Sequence, residues 1–257
     1  NPAYAGALGK NVFAFTSRRQ WSAMQDAPST LAFSYSSQRE NNVGLGLSVV
    51  SDKVFIEQQT FAYVDFSYKL DMESTQLYLG LKAGGNFYRA DTRALSTYSF
   101  TTDPAQQDLS RFNPNIGIGF YLKHNDYFVS LSTPKMLDTK RAKEENGYAT
   151  AATDQAHYYL STGRTFKVSP SLDLVPSLMI RYVNGAPFST DFTTTAKFDN
   201  RFNLGVTYRT DRTFGGLAMI NVSKKFALGY AYEYSLRSQL VGRVNGSNEF
   251  FLSYKFN

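Results

Sequence analysis

Runs of alternating apolar and polar residues recur from one end of this chain to the other. The sequence Val43-Gly-Leu-Gly-Leu-Ser-Val49 is one, and Phe202-Asn-Leu-Gly-Val-Thr-Tyr208 is another. Alternation with a period of two belongs to a β-strand with chemically different faces. The runs cover residues 11–18, 30–37, 43–50, 60–70, 76–88, 115–123, 127–132, 156–166, 171–183, 188–198, 201–209, 213–221, 226–234 and 248–256. No stretch of helical period separates them, so one sheet is expected. An open sheet of that many strands would expose long edges, and closure into an antiparallel up-and-down barrel removes them.

What lies on the apolar face decides the solvent. The fourth run sets Ala62, Val64, Phe66, Tyr68 and Leu70 against Tyr63, Asp65, Ser67 and Lys69. The fifth sets Leu77, Leu79 and Leu81 against Gln76, Tyr78, Gly80 and Lys82. The ninth sets Leu172, Leu174, Leu178 and Ile180 against Asp173, Ser177 and Arg181. The last sets Phe250, Leu252, Tyr254 and Phe256 against Glu249, Ser253 and Lys255. The apolar face is nearly continuous and aromatic at its ends, whereas its partner is rich in Gly, Ser, Thr, Asn, Tyr and charges of both signs. A crowded, water-touched interior suits the second face and lipid suits the first. This is the pattern of a transmembrane β-barrel, apolar outward and polar inward.

The connections give an independent test. Links after even-numbered runs are short, at 38–42, 71–75, 124–126, 167–170, 199–200 and 222–225. The long links all follow odd-numbered runs, at 19–29, 51–59, 89–114, 133–155 and 235–247; 184–187 and 210–212 are short. Outer-membrane barrels have short periplasmic turns and long extracellular loops. The expected architecture is therefore an all-β barrel of about fourteen strands in a bacterial outer membrane. Residues 1–257 form one domain, with 1–10 as a periplasmic or lumen segment.

Composition fits. Phe and Tyr number 21 and 18 against a single Trp, which suits interfacial girdles. No apolar run reaches the about 18 residues of a membrane helix. The net charge of +6 is scattered over lumen positions and loops, without the clustered stripe of a nucleic-acid binder. The one local basic group, Lys135, Lys140, Arg141 and Lys143, is followed by Glu144 and Glu145 and reads as a solvated loop. There is no Cys, which excludes thiol catalysis and disulfides. A chain that starts at Asn1 without Met or an apolar leader is expected to be a mature or trimmed product.

Chemistry is sparse. His124 reads as a turn residue and His157 as a hydrogen-bonded lumen residue near Asp154. Gly117, Gly119, Gly44 and Gly46 fall inside strands on the lumen face, where small side chains relieve crowding. No phosphate loop, calcium loop or metal-ligand spacing occurs. No enzyme, metal or cofactor is expected.

The first six residues, Asn1-Pro-Ala-Tyr-Ala-Gly6, resemble the N-terminal signature of the PorP/SprF family. These are outer-membrane proteins of Bacteroidetes linked to type IX secretion and gliding motility. Phe256 near the C-terminus and the Tyr- and Phe-rich strands match that family in general style. The resemblance implies a barrel that anchors or helps export a secreted surface protein, commonly an adhesin bearing a type B C-terminal sorting domain. One branch of the family is counted instead among core components of the secretion machine.

Two functions follow. The first is a protein-binding anchor whose outside loops present aromatic and charged residues: Trp21, Phe55, Tyr98, Phe100, Arg111, Arg141 and Tyr148. The second is a channel or transporter for small or hydrophobic solutes, which needs a lumen path with an N-terminal plug or a lateral gap. Charges of both signs at lumen positions (Asp65, Lys69, Lys82, Lys123, Asp173, Arg181, Asp191, Arg209, Glu233, Glu249 and Lys255) are expected to pair across the barrel and close it.

Overall fold

The computed structural model describes residues 1–257 except 23, 92–108, 138, 141–152, 238–243 and 257. Fourteen strands make the wall. They are β1 (Asn11–Arg19), β2 (Ser29–Gln38), β3 (Val43–Val54), β4 (Glu57–Met72), β5 (Thr75–Ala90), β6 (Leu109–His124) and β7 (Tyr127–Thr133). There follow β8 (His157–Arg164, resuming as Phe166–Ser169), β9 (Leu172–Val183), β10 (Ser189–Phe198), β11 (Phe202–Arg209), β12 (Thr213–Asn221), β13 (Phe226–Ser235) and β14 (Ser247–Phe256). Each pairs antiparallel with its neighbour in sequence, and β14 closes on β1, with Asn11 opposite Phe256 and Arg19 opposite Asn248. The two-residue segments Thr139–Lys140 and Thr153–Asp154 form a small sheet of their own.

Alternation sets the register. On β4, Val64 and Phe66 are 59% and 42% exposed on the outside, whereas Asp65 and Ser67 between them are 8% and 1% exposed. A slip of one residue would turn every such set inside out, so the faces lock the pairing. The exposed outer band is the surface that lipid covers in a membrane barrel.

Two expectations change. Residues 51–59 are not a loop: β3 and β4 continue pairing to Val54 opposite Glu57. Ser51, Asp52, Lys53, Gln58 and Gln59 stand above the apolar band, where both faces are polar and alternation fades while the backbone ladder goes on. The link 89–114 shrinks in the same way, because β5 and β6 stay paired up to Ala90 and Leu109. Four long links remain, after β1, β5, β7 and β13, and all lie at one end of the barrel. That end is called outer below.

β7 is shorter than its neighbours. It pairs with β6 only between Ile118–Thr133 and His124–Tyr127. Beyond Thr133 the chain turns into the lumen.

Candidate functional site at the lumen and outer rim

The N-terminal segment lies inside the barrel. Pro2–Tyr4 form one 3-10 turn, capped by the Asn1 side chain, which accepts from Ala3 N at 2.9 Å. Asn1 Nδ2 also donates to Phe120 O and Ser130 Oγ, each at 3.1 Å. Gly6 N donates to Ser36 Oγ at 2.8 Å, and Ser67 Oγ donates to Ala5 O at 2.6 Å. These bonds run to four strands, β2, β4, β6 and β7. Pro2, Ala3 and Ala5 are buried.

The strands make room for this segment with glycine. A Cβ at Gly44 would overlap the Ala5 carbonyl, at Gly80 the Ala3 nitrogen, and at Gly119 the Asn1 side chain. Gly6 itself has φ +75°, a left-handed conformation with Gly44 Cα against it, so an L side chain there is strained and blocked. The six residues that carry the family resemblance are thus a lumen plug, seated on a track of small residues. The Tyr4 ring then packs tilted against Tyr121, centroids 4.8 Å apart, and Tyr121 lies 5.6 Å from Tyr78.

A second insert comes from the outer end. Asn115, fully buried, donates to Leu137 O (2.7 Å) and accepts from Met136 N (2.9 Å) and Leu137 N (3.1 Å). Lys135 Nζ lies 4.0 Å over the inward-facing Phe61 ring. Gly117 admits the Pro134 backbone, which a Cβ would approach to 2.6 Å.

Lumen charges pair along the wall rather than across it. Lys82 Nζ is 3.1 Å from Asp65 on the adjacent strand and donates to Ser48 Oγ at 2.9 Å, and Ser48 donates to Asp65 Oδ2 at 3.2 Å. On the other side a ladder climbs from strand to strand. Arg181 meets Asp191 at 3.0 Å, and Asp191 meets Arg209. Arg209 reaches Glu233 at 3.2 Å, Glu233 meets Arg18, and Arg18 meets Glu249 at 3.0 Å. Arg209 on β11 spans β12 to reach β13 because Gly215 leaves the intervening position empty; a Cβ there would lie 3.3 Å from Glu233 Cγ. The expectation of cross-barrel closure is corrected: opposite charges sit on adjacent or next-but-one strands, where register brings them together along the wall without bridging the lumen.

Above the ladder the outer rim forms a small polar pocket of about 110 Å³ bordered by Trp21, Tyr234, Arg237, Asp211 and Asn245. Arg237 Nη2 bonds Asp211 Oδ2, and its Nε donates to Asp211 O at 3.2 Å. Burial pushes the Asp211 carboxyl up, but the Thr213 hydroxyl and the Arg237 and Arg209 charges outweigh it and hold the carboxyl below its ordinary range. Trp21 is half-buried at φ +47°, with its carbonyl accepting from Met24 N at 2.8 Å. A bulky residue in left-handed backbone is an outlier that the surrounding structure must hold.

The other expected site residues divide. Phe55 sits at the tip of the two-residue β3–β4 turn at φ +53°, with 53% of its surface exposed. Arg111 is not in a loop: it lies on β6 opposite Tyr88, on the inward side of exposed Phe112. Tyr98, Phe100, Arg141 and Tyr148 lie outside the described residues. Sequence reasoning missed Arg237 and Asp211, whose pairing joins two loops far apart in the chain. His124 Nδ1 shares a hydrogen bond with Thr75 Oγ1 at 2.7 Å beside the turn, and the His157 ring lies 6.2 Å from that of Tyr159. Among the described residues no group of three or more His, Cys, Asp or Glu could hold a metal ion.

Comparison with solved structures finds barrels. The chain resembles the Acinetobacter baumannii outer membrane protein Omp33, with TM-score 0.55 and 7% identity over 96% of this chain and 98% of that one. It resembles the Ralstonia pickettii toluene transporter TbuX with TM-score 0.57 and 12% identity, over 100% of this chain and 92% of that one. At these identities the likeness shows the fold alone. No curated protein matches. The family described as type IX secretion system membrane protein PorP/SprF matches residues 1–254. The chain therefore belongs to the PorP/SprF family and is a type IX secretion-related β-barrel of the outer membrane.

Proposed function

We propose that this barrel binds a large secreted surface protein at its outer rim, as an anchor or export partner, and has no catalytic turnover. The partner class is an adhesin with a type B C-terminal sorting domain. The observation that carries the reading is the pair of aromatic residues held at positive φ in outer turns, Trp21 and Phe55. Neither turn uses the glycine that the backbone would favour. Holding an aromatic there costs conformational energy of roughly 1–3 kcal/mol each, which is sensible where the ring itself is needed. Protein interfaces draw their energy from a few such anchors, Trp, Tyr and Arg above all. Trp21 has Tyr234 and Arg237 around the same pocket. The lumen supports a holding role over a conduit, since chain segments enter it from both ends.

Replacing Trp21 or Phe55 with Ala is expected to lower the amount of surface protein retained on intact cells while the barrel stays heat-resistant on a gel. Full retention by the double variant, with the barrel folded, contradicts the reading. The competing reading is a channel for small or hydrophobic solutes. It draws on the neighbour named as a toluene transporter and on the part of the lumen that the inserts leave open.

A further inference from the structure

One part of the lumen breaks the rule that the inner face of a membrane barrel is polar. On the inward face of β9 and β12 stand Met179 and Leu217, in register with Asp191 and Gly205 of their neighbours. Met179 is 39% exposed although it faces away from lipid. With Tyr4 of the plug and Phe128 of β7, these side chains line a cavity of about 370 Å³. Its remaining wall carries hydroxyls, among them Thr193 and Thr207, joined by a 2.9 Å hydrogen bond.

Size, lining and charge point the same way. Pockets that enclose small molecules run from roughly 300 to 1,000 Å³ and combine apolar walls with a few polar groups. Water fills polar cavities, whereas apolar surface gains from an apolar guest. The charged boundary of the cavity, Asp191, Arg209 and Glu233, belongs to the ladder. That ladder balances three arginines, Arg18, Arg181 and Arg209, with three carboxylates, Asp191, Glu233 and Glu249. Its members pair with one another, three charges against three, and leave no net charge to attract an ion.

We propose that this cavity is a binding site for a small uncharged molecule with an apolar body and one or two hydrogen-bonding groups. The apolar body lies against Met179, Leu217 and Phe128, and its polar group reaches the Thr193–Thr207 pair. The site is independent of the outer rim: a barrel that holds a protein partner above can still take this guest below the ladder.

The test uses the full chain in lipid nanodiscs and 2-naphthol as a fluorescent probe, with naphthalene-2-sulfonate as the anionic counterpart. Ala231 lines the same cavity, so Ala231→Phe fills it; Val206 faces lipid and is 67% exposed, so Val206→Phe is the control. The expected result is saturable naphthol binding beyond that of empty nanodiscs. It falls about tenfold or more in Ala231→Phe, stays unchanged in Val206→Phe, and is about tenfold weaker for the sulfonate. Met179→Trp serves if Ala231→Phe does not give a heat-resistant barrel. The proposal is overturned if binding does not exceed that of empty nanodiscs, if cavity-filling and lipid-face variants behave alike, or if the sulfonate binds as well as naphthol.

Discussion

Between β3 and β7 the lumen is packed with chain; between β8 and β13 a cavity remains, though both sides turn the same kind of apolar exterior to lipid. On the packed side the inward face is glycine where backbone approaches, Gly44, Gly80 and Gly119 under the plug and Gly117 under Pro134. On the open side it is hydroxyl and apolar, and at Gly229 an added Cβ would meet only ordinary contacts of 3.4–3.6 Å. The charges differ too. Asp65 and Lys82 form a nearly enclosed pair, with side chains 12% and 11% exposed, whereas the ladder spreads over six residues and ends at Glu249, 34% exposed. One barrel wall thus serves as a mould for its own chain on one side and as a vessel on the other. The exterior pattern reveals neither.

The charge contrast gives the largest expected effect. Asp65→Asn strands the Lys82 ammonium among buried groups and is expected to lower refolding stability by about 3–5 kcal/mol. Glu249→Gln leaves Arg18 with Glu233 and is expected to cost less than about 1 kcal/mol. Equal losses in a denaturant titration would mean that the two sides are equally wet.

The exterior should not notice the difference. Leu79, 36% exposed on β5, and Leu204, 53% exposed on β11, lie on opposite sides of the barrel. An Arg at either is expected to cost roughly 2–4 kcal/mol near the membrane midplane. A large loss at one and none at the other would break the assignment of a continuous lipid band.

Packing comes next. Gly80→Val drives a side chain into the Ala3 backbone and is expected to cost about 1–3 kcal/mol by overpacking, or to expel the plug. Proteolysis of the N-terminal segment in purified protein reads the second outcome. Gly229→Val is expected to be tolerated within about 1 kcal/mol. If both are tolerated with the segment still protected, the plug does not depend on its glycine track.

Most of the wall was legible because lipid on one side and a polar lumen on the other force alternation, and the fourteen runs match the strands within a few residues except at the outer end of β6, which begins at Leu109 rather than Asn115. The tops of β3 and β4 were not. Where both faces meet water, Ser51 to Gln59 give no periodic signal, and the turn at Phe55 and Ile56 lacks the Gly, Asn or Asp that marks most two-residue hairpins. The plug was visible only as an unusual hexapeptide, and its glycine receptors only as small residues on the inner face. Joining Asn1 to Ser130, or Gly44 to Ala5, needs the closed barrel. The ladder was legible residue by residue but not as a ladder, because pairing depends on register and on the gap at Gly215. At the rim, Trp21 stood out as the sole Trp, whereas Arg237 and Asp211 looked like ordinary loop charges.

The smallest expected effect concerns pH at the rim. The Asp211 carboxyl is depressed below its ordinary value, so its contribution is complete above that value and is lost as pH falls through the lower, folded one. Acidification into that range should loosen the Arg237 contact and shift the fluorescence of Trp21, which borders the same pocket, before the barrel unfolds. Asp211→Asn should remove that early phase; an unchanged acid titration would place its origin elsewhere.

The role proposed for this outer-membrane barrel is to hold a secreted protein at its outer rim. It is tested most directly by purifying the barrel from its native membrane in mild detergent and identifying what accompanies it by mass spectrometry, for the unaltered chain and for the Trp21→Ala, Phe55→Ala double variant. The expected result is a large surface protein with a C-terminal sorting domain, retained by the unaltered chain and depleted from the variant, with the barrel folded in both. A barrel that purifies alone from cells displaying such a protein, or that keeps its partner undiminished in the variant, would contradict it.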